Sequence, residues 1–309
     1  MQVFTHPACL EHHTGSDHVE RPQRLAAILQ ALGDAFPDLD WQQAPRARRE
    51  QLLRVHAPEL LDSVLAPIPS GWVALDPDTV ASPGSAEAAL RAAGAGIAAV
   101  DAVLAGAALR AFCAVRPPGH HATADTAMGF CLLNNIAIAA RHALAGHGLE
   151  RVAIVDFDVH HGNGTQAIFQ AEPRVAYASS HQSPLYPGTG ARRETGCGNI
   201  FNAPLPPGAD GTAFRSAWEN DLLPALDAFG PQLLFISAGF DGHRRDPLAD
   251  LRLEADDFGW LTQALVALAE RHCGGRIVSM LEGGYDLAAL ADSSLAHVTA
   301  MRQPVREPT

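Results

Sequence analysis

Five short apolar runs, each closing on polar residues, constrain this chain most: AFCAV (111–115), RVAIVDFD (151–158), RVAYAS (174–179), QLLFISAG (232–239) and RIVSMLEGG (276–284). Runs of this length and composition predict buried β-strands. Helical stretches lie between them. RPQRLAAILQALG sets Leu25, Ile28, Leu29 and Leu32 on one face, with Pro22 near its start and Gly33 at its end. The alanine-rich SPGSAEAALRAAGAGIAAVDAVLAG predicts a helix packed close to a sheet, capped by Ser82. NNIAIAARHALAG, TAFRSAWENDLLPALDAFG and EADDFGWLTQALVALAERHCGG continue the pattern. Alternating strands and helices imply an α/β fold with a mostly parallel sheet covered on both faces. With no repeat, low-complexity tract or long linker, residues 1–309 read as one domain.

In such sheets ligands bind beyond the carboxyl ends of the strands. Four predicted strands end there in unusual residues. RVAIVDFD leads to Asp156, Asp158 and His160; QLLFISAG leads to Asp241; RIVSMLEGG leads to Tyr285; AFCAV runs into RPPGHH with His120 and His121. These ends are expected to converge on one rim. Asp158 and His160 are two apart, so an extended segment points both to one side. Asp241 would complete a set of two carboxylates and one imidazole with an open position, which suits catalytic zinc and also admits iron(II). A lone Asp-x-His is more often a solvated turn, but the other polar strand ends reverse that preference. A lone buried histidine is usually a satisfied core residue. Two in tandem after Pro117, Pro118 and Gly119 suit acid–base work. Tyr285 follows two glycines that allow close approach to a ligand, where a phenol could hydrogen-bond a polarised carbonyl.

Together RPPGHHA, MGFCLLNNIAIAA, VDFDVHHGNGTQ, HQSPLYPGTG, SAGFDGHRRDPLA and LEGGYDL resemble the zinc-dependent histone deacetylase family, nearest its class II-like bacterial amidohydrolases. The motifs run in the family's order from about His18 to Tyr285. The resemblance implies the arginase–deacetylase fold, a parallel eight-stranded sheet flanked by helices. It implies Asp158, His160 and Asp241 as zinc ligands, and His121 as the general base that later protonates the departing amine. His120 would be its electrostatic neighbour, oriented by Asp156, and Tyr285 the group that polarises the scissile carbonyl. Phe130 and Tyr186 would wall an acyl-lysine channel, with Gly129 beside them and Arg24 at the foot of the site. A structural potassium would use Asp156, Asp158, His160, Ser179 and Ser180. A second, outer potassium would use the stretch around Phe169, Glu172 and Val175.

Departures from the family pattern bear on these roles. Asn163 replaces the Asp of class I relatives, so His121 would be partnered by an amide. Tyr186 stands where many relatives have Phe, and Val19 where the HPERP loop has Pro. Leu248, seven residues past Asp241, replaces a Glu that relatives preferring acetylated polyamines carry. The resemblance therefore implies a deacylase of lysine side chains in peptides or proteins, with an acetylpolyamine or other small-amide hydrolase as the alternative. An inert acyl-lysine binding protein would lack a ligand, the base or the tyrosine, and this chain has all of them. Family members are often dimers or tetramers, which leaves homo-oligomerisation open.

Other features receive plainer readings. His12 and His13, in EHHTGSDH, are expected to face substrate or solvent, and the HRR at 243–245 to give the entrance a positive rim. The loop with Asp76 and Asp78 is a candidate for the substrate backbone. A net charge of −12 disfavours nucleic acid as a direct partner. No run approaches the roughly 18–20 apolar residues of a membrane span. The amino-terminal MQVFTHPACLEHH lacks a basic patch followed by an apolar stretch, so no signal peptide is expected. Five cysteines without a CxxC pair suggest reduced thiols and a cytoplasmic protein.

Overall fold

The computed structural model describes residues 1–303. The last six positions of the expected domain lie outside the described residues. The strands are β1 (Gln2–Thr5), β2 (Asp40–Gln43), β3 (Val73–Asp76), β4 (Thr79–Ala81), β5 (Arg110–Cys113), β6 (Val152–Asp156), β7 (Val175–Gln182), β8 (Ile200–Leu205), β9 (Leu233–Ala238) and β10 (Ile277–Leu281). The helices are α1 (Pro22–Ala35), α2 (Arg49–Leu52), α3 (Pro58–Val64), α4 (Ser85–Leu104), α5 (Asn135–His147), α6 (Asn163–Phe169), α7 (Gly211–Ala217), α8 (Leu223–Phe229), α9 (Ala255–Cys273) and α10 (Leu287–Arg302).

Eight strands form one sheet in the order β2-β1-β5-β10-β9-β6-β7-β8, with every pairing parallel. The predicted α/β architecture is the observed one. All residues of β5, β6, β7, β9 and β10 are buried, as two-sided coverage by helices requires. These five strands are the five apolar runs, and they are adjacent in the sheet. Because they are parallel, their carboxyl ends deliver residues 117–121, 282–285, 239–241, 156–163 and 179–182 to one edge. Register sharpens this: Asp156 pairs level with Ser179 on one side and Ser237 on the other.

Two local expectations are corrected. Ser82 does not cap α4: the cap position is Gly84, while the Ser82 hydroxyl accepts from the His13 amide at 3.0 Å. The 212–230 stretch is not one α-helix. A wide π-type turn, Trp218–Leu222, separates α7 from α8. Pro224 sits in the first turn of α8; having no N–H, it cannot extend the regular ladder backward. Among the described residues no helix is long and apolar enough to cross a membrane.

Candidate active site

Asp158 and His160 come from the loop after β6, and Asp241 from the loop after β9. His160 Nδ1 lies 3.2 Å from Asp158 Oδ1 and 3.2 Å from Asp241 Oδ2. All three residues are buried. Backbone amides pin both carboxylates: the Gly283 N–H donates to Asp158 Oδ2 at 2.8 Å, and the Val159 N–H to Asp241 Oδ1 at 2.8 Å. A Cβ at Gly239 would fall 2.0 Å from Asp158 Oδ2, and one at Gly283 2.0 Å from Asp241 Oδ2. Only bare backbone allows the two carboxylates to meet. Two buried carboxylates against one imidazole leave uncompensated negative charge, which is costly in a desolvated site. A divalent ion resolves the imbalance. Donors held at about 2.0–2.2 Å from a tetrahedral ion would lie roughly 3.3 Å apart, close to the observed spacing. The trio fits a metal. Burial disfavours charge on His160, but its bonds to Asp158 and Asp241 prevail and push it up to about 10. A ligating imidazole must be neutral, so metal binding at this trio competes with protons.

The tandem histidines sit in different fields. His120 Nδ1 donates to Asp156 Oδ2 at 3.0 Å, and that carboxylate also accepts from the Tyr177 hydroxyl at 3.0 Å. Burial opposes a charge on His120, yet Asp156 and Asp158 outweigh it and hold the imidazole well above its ordinary value. His121 is pushed the other way, by burial first and then by His120 and His160. Its Nδ1 bonds to Asn163 Oδ1 at 2.8 Å, the amide partner expected. An amide oxygen only accepts, so Nδ1 carries the hydrogen and Nε2 keeps its lone pair. The two environments push these neighbouring imidazoles in opposite directions, His120 toward the charged form and His121 toward the neutral one.

A cavity of about 240 Å³ opens over the trio, lined by His121, His160 and Tyr285 with Gly129, Phe130, Leu185, Tyr186, Leu248 and Asp78. Phe130 has φ 66, a left-handed conformation uncommon outside glycine. The β3–β4 hairpin holds it there: the Phe130 N–H donates to Thr79 Oγ1 at 2.9 Å, and the Gly129 N–H to Asp78 Oδ1 at 3.1 Å. The Phe130 and Tyr285 rings stand edge to face at 5.9 Å, and His121 and Tyr186 likewise at 5.2 Å. Burial raises the Tyr285 phenol well above its ordinary value, so it remains a hydrogen-bond donor. Arg24 is fully buried behind this wall rather than on it. Its guanidinium lies 4.8 Å from the Tyr285 ring centroid and donates to the Gly284 and Glu282 carbonyls.

The inner potassium candidates Asp156, Asp158, His160, Ser179 and Ser180 gather at the ends of β6 and β7. Both serine hydroxyls are engaged, Ser179 with His181 Nδ1 at 2.9 Å and Ser180 accepting from Trp218 Nε1 at 3.0 Å. The Asp156 and Asp158 carboxylates there are hard oxygen donors, of the kind that suits a hard cation. The outer position does not fit an ion as arranged. The carbonyls of Phe169, Glu172 and Val175 converge instead on the Asn199 amide nitrogen, at 2.8, 3.1 and 2.7 Å. His12 is buried, 2.7 Å from Ser85 Oγ, because the loop folds inward onto α4. The HRR segment makes no positive rim: Arg244 pairs with Glu254, and Arg245 with Asp286 and Asp292. His161 faces away from the trio, bonded to Thr189 and Gln166.

Three residues escaped the sequence reading. Glu282 Oε2 accepts from the Gly119 and His120 amides at 2.7 and 3.1 Å, fixing the histidine loop. Its signal was an acid at the end of an apolar run. Asp246 accepts from the Leu248 and Tyr285 amides at 3.0 and 2.8 Å, tying two cavity walls together. Glu20, fully buried, bridges Arg24 and Arg116.

Comparison with known proteins agrees with this geometry. A family model described as "Histone deacetylase domain" matches residues 18–301. The chain is 43% identical over 302 residues to a "Histone deacetylase-like amidohydrolase" of Pseudomonas aeruginosa, covering 94% of this chain and 79% of that protein. It is 39% identical over 319 residues to a "Probable deacetylase" of Archaeoglobus fulgidus, covering 99% of this chain and 88% of that one. The solved HDA15 HD domain superposes with TM-score 0.92 at 36% identity, over 97% of this chain and 88% of that chain. On motif, site geometry and overall fold alike, the chain belongs to the histone deacetylase family.

Proposed function

We propose that the protein is a cytoplasmic, zinc-dependent amidohydrolase that removes acetyl or other short acyl groups from lysine side chains of peptides or proteins. One observation carries this reading: a buried trio of two carboxylates and one imidazole lies at the foot of a mostly apolar cavity that His121 and Tyr285 also line. Asp158, His160 and Asp241 would hold the ion. When bound, zinc lowers the pKa of water and polarises a carbonyl. His121 takes the attacking water's proton at Nε2 and later returns it to the departing amine. Tyr285 donates its O–H to the oxygen that gains charge. His120 and Asp156 supply a fixed positive and negative pair beneath them. Phe130, Tyr186 and Leu248 exclude water from the acyl-lysine stem, which strengthens each of these interactions. Potassium is proposed only for the inner position.

The Tyr285→Phe variant is expected to keep its metal content, measured by elemental analysis, and to lose about 10²–10³ in kcat/KM on an acetyl-lysine peptide. Near wild-type turnover would remove Tyr285 from the chemistry. A second reading has its own observation. Asp78 at the cavity mouth, with Asp76 beside it, would attract a cationic acetylpolyamine. Leu248 favours the lysine reading, because it offers no partner to a second ammonium. In competition, acetyl-lysine peptide is expected to outpace acetylputrescine by about tenfold, a difference near 1.4 kcal/mol. The reverse order would assign the protein to small amines.

A further inference from the structure

Well away from the cavity, two histidines and a carboxylate meet on the surface between α4 and α5. α5 starts at the loop beside the histidine pair and runs back toward the amino end of β6, so His147 at its end lies at the opposite edge of the sheet. His142 Nε2 and His147 Nε2 each stand 2.7 Å from the same oxygen, Asp101 Oδ1. We propose that Asp101, His142 and His147 form a second metal site, selective for divalent transition-metal ions such as zinc.

The donor chemistry makes the selection. Two imidazoles and one carboxylate suit zinc, nickel or copper, whereas calcium and magnesium require oxygen donors throughout. An ion at about 2.0–2.2 Å from each donor would spread them to roughly 3.3 Å, half an ångström beyond the present contacts. The side chains have that freedom: Asp101 is 54% exposed and His147 31%, while His142, at 12%, is the fixed anchor. Gly146 leaves room for the anchor, since a Cβ there would come 3.1 Å from His142 Cε1. One contact competes. Arg54 Nη1 donates to His142 Nδ1 at 3.2 Å, which leaves the imidazole hydrogen on Nε2, pointing at Asp101. An ion needs the Nε2 lone pair. The hydrogen on Nε2 is then lost to solvent, Nδ1 takes one up, and exposed Arg54 turns outward. The site therefore accepts only ions whose affinity for imidazole exceeds this cost.

The test is a zinc titration of metal-stripped protein, read by equilibrium dialysis and elemental analysis. Wild type is compared with the double variant His142→Ala, His147→Ala, whose fold is checked by circular dichroism. Wild type is expected to bind one more zinc per chain than the variant. Equal stoichiometry would overturn the proposal, whatever the cavity holds. Wild type at one zinc and the variant at none would uphold the surface site and overturn the zinc reading of the cavity. Should the double variant misfold, Asp101→Asn serves instead, and an unchanged stoichiometry and affinity there would likewise overturn it.

Discussion

Replacing His121 with alanine is expected to lower kcat/KM by about 10²–10⁴ without changing the metal content. The loss comes from removing the proton carrier, since the metal trio keeps its own backbone anchors at Gly283 and Val159. The pH–rate profile gives the sharper readout. His121 must be neutral to accept a proton. Burial, with His120 and His160 nearby, holds its pKa well below 6.5. Activity should therefore persist below the ordinary histidine range as pH falls, and the acid limb should reflect this depressed group. Asn163→Asp would place a carboxylate on His121 Nδ1 and favour the imidazolium. Its acid limb should move to higher pH, and it should vanish altogether in His121→Ala. An acid limb at the same pH in both variants would exclude His121 as the base.

The parts of the site readable from sequence share one physical property. Asp156, Asp158, His160, Asp241, His120 and His121 are ionisable residues at the ends of apolar strands, where burial without a partner is prohibitive. Parallel topology then brings them to one edge, whatever their separation along the chain. The supporting residues carry no such mark. Glu282 acts on Gly119 and His120, 163 and 162 positions away, and Asp246 acts on Tyr285, 39 positions away. Each looks like an ordinary polar residue until the loops are placed. The HRR segment failed for the complementary reason: its charge was legible, but its partners Glu254, Asp286 and Asp292 were not. Edge strands were also hard to see. β2, with the sequence DWQQ, is largely exposed and has no apolar signal.

The largest effect on stability is expected at Glu20, buried behind the cavity wall. Its carboxylate accepts from Arg24 Nη1 at 2.9 Å and from Arg116 Nε and Nη2 at 2.5 and 2.6 Å, and none of the three side chains is exposed. Glu20→Gln keeps the volume but removes the negative charge between two buried guanidinium groups. Breaking such a cluster typically costs about 3–5 kcal/mol, a large share of the roughly 5–15 kcal/mol that holds a domain together. Urea unfolding at pH 7 should show the loss as a lower midpoint with an unchanged slope. The acid dependence follows from the same contacts. Burial alone would raise the Glu20 carboxyl, but Arg116 and Arg24 outweigh it and hold it well below the usual carboxylate range. A group depressed in the fold contributes fully above its unfolded value of about 4.3 and loses that contribution as pH falls toward its folded value. Wild type should therefore lose stability below pH 4 more steeply than Glu20→Gln. Because Arg24 also braces the Gly284 carbonyl and the Tyr285 ring, the variant should lose kcat as well as stability. A loss under 1 kcal/mol with full turnover would mean that the two arginines find other acceptors and that Glu20 does not brace Tyr285.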